Sequence, residues 1–337
     1  TVHDISVYTN WEKASIEQGF AEENKLFYIL TNSRGFTAAQ TEKAHKEIAE
    51  VVDQVAKETG KEYLFISRSD STLRGHYPLE TTILKDEYEK NTGKKIDGEV
   101  LCPFFKEGGR FTIDDVHYVQ YDDTLVPAAE TEFAKDKTFG YTVSNLKEYV
   151  EEKTQGAYKK ENVTAISLEN IRELNYDKIE EQLLAVEDFN KVIVNAIDYV
   201  DVKIFCVALF RAMKKGKNFM FRTAAAIVKV MGGVSNQPLL TREQMVVKET
   251  DNGGIIVVGS HTDKTTRQME KLRENKDIAF VELNATLVNN EAAFAEEVER
   301  CLALEEEYIS SGKSVCVYTT RVLITADTGE FLMQYSP

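Results

Sequence analysis

At 337 residues the chain exceeds the roughly 250–300 residues at which a single hydrophobic core stops growing, so two domains are expected. Its hydrophobic share of 42% and charged share of 29% are those of a folded globular chain and argue against extended disorder. The net charge of -15 argues against a basic face for nucleic acid or an anionic membrane, so an anionic ligand has to be held by local arginines and backbone amides.

The cysteines Cys102, Cys206, Cys301 and Cys316 are scattered, with no CxxC and no His/Cys cluster, so neither zinc nor a disulfide framework is supported and buried reduced thiols are expected. No apolar stretch approaches the roughly 20 residues of a membrane span, and a cytoplasmic location is expected.

Thr1 to Val7 alternates like a strand. Lys25 to Leu30 is a second apolar strand, ending in Thr31-Asn32-Ser33-Arg34-Gly35, and Thr37 with Gln40 forms a capping box for a helix to about Thr59. Tyr63 to Ile66 reads as a short buried strand. Behind it comes the run Ser67-Arg68-Ser69-Asp70-Ser71-Thr72-Leu73-Arg74-Gly75-His76, which gathers hydroxyls, one carboxylate, two guanidiniums and a glycine at a strand end. Leu79 to Lys90 is the following helix. Two successive βα units imply a parallel, doubly wound sheet, and ligands bind beyond the carboxyl ends of its strands, which puts Arg34 and Asp70 on one edge. Arg74 offers a planar fork for a carboxylate or phosphate, Asp70 an acceptor or base for a hydroxyl, and Gly75 close backbone approach. A plain Asp–Arg ion pair with helix-capping hydroxyls is the structural alternative.

Glu99 to Cys102 reads as a third strand and Pro103 to Arg110 as the loop leaving it, with Gly108-Gly109 beside Arg110 a plausible anion-binding turn. Val116 to Val119 is strand-like, with His117 expected to be structural. Thr131 to Phe139 is a polar connection and Ser144 to Thr154 a helix. Val163 to Ser167, a helix around Tyr176 to Leu184 and Lys191 to Asn195 form a further βαβ run, after which Asp198 is a helix cap or a functional carboxylate. Phe205 to Lys214 is helical, and Asn218 to Arg222 leads into Thr223 to Val230, whose small residues suit close packing on a sheet. Gly232 to Pro238 is a turn-rich linker, and a second domain is expected from near Gly253. There Ile255 to Val258 is a buried strand and Gly259-Ser260-His261-Thr262-Asp263 the turn into a helix from Lys264 to Asn275, a turn suited to phosphate. Phe280 to Leu283, Glu291 to Ser310 and Val315 to Thr319 complete a parallel unit. There is no GxxxxGK[ST] and no GxGxxG, so neither a P-loop nor a dinucleotide fingerprint applies.

The string Asp70-Ser71-Thr72-Leu73-Arg74-Gly75 resembles the DSTLRG signature of the four-carbon acid sugar kinase family, whose members phosphorylate threonate, erythronate or 3-oxo-tetronate with ATP. Weaker likenesses follow in chain order at Asn32-Ser33-Arg34, Cys102-Pro103-Phe104-Phe105 with Gly109-Arg110, His117-Tyr118-Val119, Phe133-Ala134-Lys135-Asp136, Phe221 to Ala225 and Val257-Val258-Gly259-Ser260. The resemblance implies an α/β protein of two domains, each a mainly parallel sheet flanked by helices: a sugar-acid-binding domain over 1–231 and a nucleotide-binding domain over 232–337. It assigns Arg34, Arg68, Asp70, Ser71 and Arg74 to the sugar acid and Ser260 to the nucleotide, with Asp70 orienting or deprotonating the attacked hydroxyl and ATP and Mg2+ as cofactors. It leaves a homodimer open. In the family an acidic Asp-Asp loop precedes this region and a glycine-rich nucleotide loop follows it, so both domains are expected to be incomplete over 1–337, and that acidic loop is an alternative home for the general base. Arg68-Ser69 stands where the family often has Lys-Ile, leaving substrate choice open. The rival readings are a non-catalytic sugar-acid-binding homologue or fragment, and a Rossmann-type oxidoreductase, which the missing glycine fingerprint disfavours.

Overall fold

A computed structural model describes residues 3–246, 248, 250–260 and 262–322. Thr1 and Val2 of the expected first strand, His261 of the expected phosphate turn, and the part of the expected nucleotide domain after residue 322 lie outside them. The chain forms two compact units, the first spanning Thr1–Gln237 and the second starting at Pro238.

The first unit opens with strand β1 (Val7–Tyr8), helix α1 (Lys13–Ala21), β2 (Tyr28–Ile29) and the long α2 (Ala38–Thr59). The Thr37 side chain and the Gln40 side chain bond each other's backbone N–H, so the capping box forms as read, and Gly60 ends α2 in a left-handed conformation. Next come β3 (Ile66–Arg68), α3 (Leu79–Thr92), β4 (Gly98–Cys102), β5 (Arg110–Ile113), β6 (Val116–Tyr121), β7 (Thr124–Pro127) and α4 (Leu146–Lys153). The unit finishes with β8 (Thr164–Ile166), α5 (Leu168–Arg172), α6 (Tyr176–Leu184), β9 (Asn190–Val194), α7 (Tyr199–Lys214), β10 (Phe219–Thr223) and α8 (Ala225–Met231).

Its main sheet is parallel, in the order β3-β10-β4-β9-β8. Central strands of such a sheet are covered on both faces, and β4 and β10 are accordingly buried along their whole length. The largest apolar cluster joins Val100, Val192, Val194 and Phe221 to Phe205, Leu209 and Ile227 of the covering helices α7 and α8.

Several expectations need correction. The strand read at Tyr63 to Ile66 as buried pairs at Ile66–Arg68 instead: Tyr63 and Phe65 pack, partly buried, against apolar clusters of α2 and α3, while Leu64 between them is exposed. The ladder strand near Lys25 to Leu30 joins only β1 among the described residues, in a separate two-stranded sheet, and not the sheet of β3. Arg110 is not the end of a loop but the first residue of β5, and β5, β6 and β7 form an antiparallel meander. The helix α1 carries no reading from the sequence, and α7 begins at Tyr199 rather than Phe205 because Asp198 and Asp201 cap it.

The second unit contains the short α9 (Arg242–Met245), then β11 (Ile255–Val258), α10 (Asp263–Leu272), β12 (Ile278–Leu283), α11 (Glu291–Ser310) and β13 (Ser314–Thr319). Its three described strands pair in parallel in the order β11-β13-β12, and α11 packs Cys301, Leu304 and Tyr308 against Ala279, Val281 and Val315. The protein is therefore α/β in both units, with mainly parallel sheets flanked by helices.

Candidate functional site

The run after β3 folds as a tight loop around the Asp70 carboxylate. Its Oδ2 accepts from the Thr72 hydroxyl at 2.5 Å and from Arg74 Nε at 2.7 Å, and Arg34 Nη1 stands 3.8 Å away. Burial alone would raise the Asp70 carboxyl, but the Thr72 hydrogen bond and the charges of Arg74 and Arg34 outweigh it and hold the group below the ordinary carboxylate value. Asp70 is thus an anion at neutral pH, and its Oδ1 accepts no hydrogen bond among the described residues.

Arg34 reaches this carboxylate although β2 and β3 are not hydrogen-bonded neighbours. The turn Ser33–Gly35 is tied across instead: the Ser33 hydroxyl donates to Glu80 Oε1 at 2.8 Å, and His76 Nε2 donates to the Phe36 carbonyl at 2.8 Å. On the other flank Arg74 and Arg110 both lie over the ring of Phe133, at 5.0 and 5.5 Å, and Arg74 Nη1 is 3.9 Å from Asp136. Arg110 Nε is buried without a hydrogen-bond partner among the described residues, and desolvation weakens the hold of this guanidinium on its proton.

The carbonyls of the loop are held from below. His117 Nε2 donates to the Ser71 carbonyl at 2.8 Å, Tyr141 to Thr72 at 2.9 Å and Tyr149 to Leu73 at 2.8 Å, while Arg222 Nη2 donates to Leu73 and Arg74, both at 3.3 Å. These four side chains are buried and come from β6, the segment before α4, α4 itself and β10. They hold Leu73 in a left-handed conformation at φ 69°, which a leucine adopts only under constraint, and leave φ 121° at Gly75, which only glycine takes freely.

Of the residues singled out in the sequence, Arg34, Asp70 and Arg74 therefore meet. Ser71 contributes its carbonyl to the underside of the loop. Arg68 ends β3 with an exposed side chain that makes no hydrogen bond or ion pair among the described residues. Asp198 caps α7 and pairs with Lys106, the structural one of its two readings. His117 is structural as well: fully buried and facing the Thr112 hydroxyl at 3.0 Å, it is pushed down to about 4 by desolvation, and so is neutral at physiological pH. Thr72, Phe133 and Arg222 lie within strings that resemble the family but carry no assigned role there, since a hydroxyl, a ring and an arginine inside an apolar strand show their partners only once the chain is folded.

Ser260 lies in the second unit, at the turn from β11 into α10. Its hydroxyl lies 3.2 Å from that of Thr262 and 3.1 Å from that of Thr265. A side chain at Gly259 would meet open space. Arg321 Nη2 donates to Thr266 on the same helix at 2.8 Å, while its buried Nε and Nη1 lack partners among the described residues. Hydroxyls, helix N-terminal amides and an unsatisfied guanidinium are donors that suit nucleotide phosphates. Among the described residues no group of three His, Cys, Asp or Glu side chains stands close enough to hold a metal ion.

Comparison with known families matches the model described as "Sugar-binding N-terminal domain" over residues 2–231 and that described as "Nucleotide-binding C-terminal domain" over 255–332. The chain belongs to the four-carbon acid sugar kinase family. Three solved structures resemble this family member. A Salmonella typhimurium LT2 protein, provisionally named a tRNA synthase, is 14% identical, with 98% of this chain and 77% of that one covered and a TM-score of 0.57. A Haemophilus influenzae protein is 16% identical over 93% and 74%, with a TM-score of 0.48. A Bordetella bronchiseptica domain of unknown function, solved with bound citrate as a domain-swapped dimer, is 17% identical over 98% and 77%, with a TM-score of 0.45. At such identities the likeness is one of fold, and the Salmonella structure carries it. No curated protein matches the sequence. No helix among the described residues is long and apolar enough to cross a membrane.

Proposed function

We propose that this protein transfers the γ-phosphoryl group of ATP to a hydroxyl of a four-carbon acid sugar of the threonate, erythronate or 3-oxo-tetronate type, with the acid bound by residues 1–231 and the nucleotide by residues 232–337. The observation that carries the reading is an ionised Asp70 with a free Oδ1, flanked by the guanidiniums of Arg34 and Arg74, inside a domain of the sugar-binding class. A carboxylate that must stay charged among arginines suits a ligand having both an anionic group and hydroxyls.

In this reading Arg74 and Arg34 hold the acid's carboxylate, with Arg68 at the rim and Ser71 beside it, and Asp70 Oδ1 accepts the hydrogen bond of the attacked hydroxyl. Phosphoryl transfer asks for positioning and charge stabilisation more than for covalent chemistry by the protein, so a carboxylate that orients the hydroxyl and takes its proton late is sufficient equipment. ATP would supply the phosphoryl group, and Mg2+ bound with it would supply charge neutralisation. Ser260, Thr262, Thr265 and Arg321 offer the hydroxyls and the guanidinium that would hold its phosphates, and a Mg2+ ion carried by the nucleotide would need only one or two protein carboxylates.

The test is ADP release from ATP and Mg2+ against a panel of four-carbon acids. Asp70→Asn should lower kcat by about 10²-fold or more while the acid still binds, and Arg74→Ala should raise KM by about tenfold or more. Binding of an acid without any ADP release would leave a non-catalytic sugar-acid-binding protein; no binding and no turnover with any member of the panel would defeat both readings.

A further inference from the structure

Four successive carbonyls of the signature loop, those of Ser71, Thr72, Leu73 and Arg74, are each taken by a buried side chain of a different segment: His117, Tyr141, Tyr149 and Arg222. In a planar trans peptide the N–H of the next residue points opposite to the carbonyl. Pinning these carbonyls into the buried layer therefore turns the amides of Thr72, Leu73, Arg74 and Gly75 away from it. The Leu73 amide closes a turn onto the Asp70 carbonyl at 3.1 Å. The amides of Thr72, Arg74 and Gly75 have no hydrogen-bond partner among the described residues.

We infer that these three amides form a backbone cradle for the oxyanion of the ligand, and that Tyr141, Tyr149, His117 and Arg222 are positioning residues that keep it open. The inference rests on the proposed sugar-acid reading and adds to it the atoms that recognise the charge. A concave row of amides with left-handed turns in it, here at Leu73 and Gly75, is a known way for a backbone to bind an anion. The four pins explain why a buried leucine accepts φ 69°: relaxing it would release two of the bonds made to its own carbonyl. They also explain a buried arginine beneath the loop. Arg222 spends its Nη2 on loop carbonyls and rests on the Tyr77 ring at 4.7 Å, while its Nε has no partner among the described residues. The oxyanion is either the carboxylate of the acid or the phosphoryl group in transit, and the shared chemistry is that of an oxygen anion accepting several N–H bonds.

The experiment follows the amide protons of the full-length chain, labelled with 15N, during titration with threonate, with erythronate, with the uncharged alditols threitol and erythritol, and with inorganic phosphate. The Thr72, Arg74 and Gly75 amides should move downfield with the acid and not with the alditols. Movement with the acids but not with phosphate assigns the cradle to the carboxylate, and the reverse assigns it to the phosphoryl group. An acid that binds or turns over while neither it nor phosphate moves these amides overturns the cradle. If no acid binds, the proposed substrate fails independently, and phosphate alone decides the cradle: unmoved amides overturn it. Tyr149→Phe keeps the ring and removes one pin, so it should weaken the titrating anion about tenfold with amides distant from the loop unshifted; where the cradle holds the carboxylate the loss falls on KM, and where it holds the phosphoryl group in transit it falls on kcat. Wild-type affinity in that variant overturns the positioning role.

Discussion

With Nε2–H on the Ser71 carbonyl and Nδ1 facing the Thr112 hydroxyl, His117 serves the loop as a neutral imidazole. Burial lowers it to about 4 from the ordinary 6.5, so in the window between those values the unfolded chain holds a proton that the folded chain refuses. Its contribution to stability is complete above pH 6.5 and is lost as pH falls to about 4, amounting to about 3 kcal/mol. Urea unfolding at pH 7, 5.5 and 4 should show that loss, and His117→Asn, destabilised at pH 7, should lose that part of the pH slope. At the residue scale the sequence was informative where charged groups cluster: Arg34, Asp70 and Arg74 stand out in it, and they do converge. The pins did not stand out, because Tyr141, Tyr149 and Arg222 act through hydroxyls and a guanidinium hidden in apolar surroundings, at separations of 69, 76 and 149 residues from their targets.

Among the elements, those with strong local signals form close to where they were read: α2 with its capping box, α6, and α11 over Glu291–Ser310. Apolar runs do not by themselves fix burial or ladder position: in Tyr63 to Ile66 Leu64 is exposed and the ladder limits are set by the partner's register, here Phe221 opposite Ile66 and Thr223 opposite Arg68, while Ile255 to Val258, read as buried, forms a strand on which Ile255 and Val257 are exposed. Neighbouring strands also hide a polar pair. Glu99 on β4 and Lys191 on β9 stand opposite each other, both fully buried and 2.8 Å apart, and the ammonium lies over the rings of Phe189 and Tyr158. Lys191→Met should leave an uncompensated carboxylate and cost about 3–5 kcal/mol, whereas adding Glu99→Gln should recover a large part of that cost in a denaturant titration. A single variant as stable as wild type would contradict this account.

For the whole molecule, the division into two units makes a separable prediction. In hydrogen exchange on the full chain, a bound four-carbon acid should protect the loop from Ser71 to Gly75, and a bound nucleotide the turn and first residues of α10. Protection of the α10 turn by the acid alone would contradict that assignment. The net charge of -15 sharpens the point, because the molecule as a whole repels both ligands and only its local donors attract them.

The sheet order β3-β10-β4 carries a consequence for the way the protein is made. The strand that separates β3 from β4 is the last of its unit to be translated, and Arg222, which it delivers to the loop, follows Leu73 by 149 positions. At 5–20 residues per second a ribosome takes roughly 7 to 30 s to cover that distance. Throughout that interval β3 and β4 emerge with the place between them unfilled, and the signature loop lacks its deepest support. Nascent chains halted before Phe219 should therefore engage chaperones, and chains halted well beyond Met231 should be the first to yield a protease-resistant N-terminal unit.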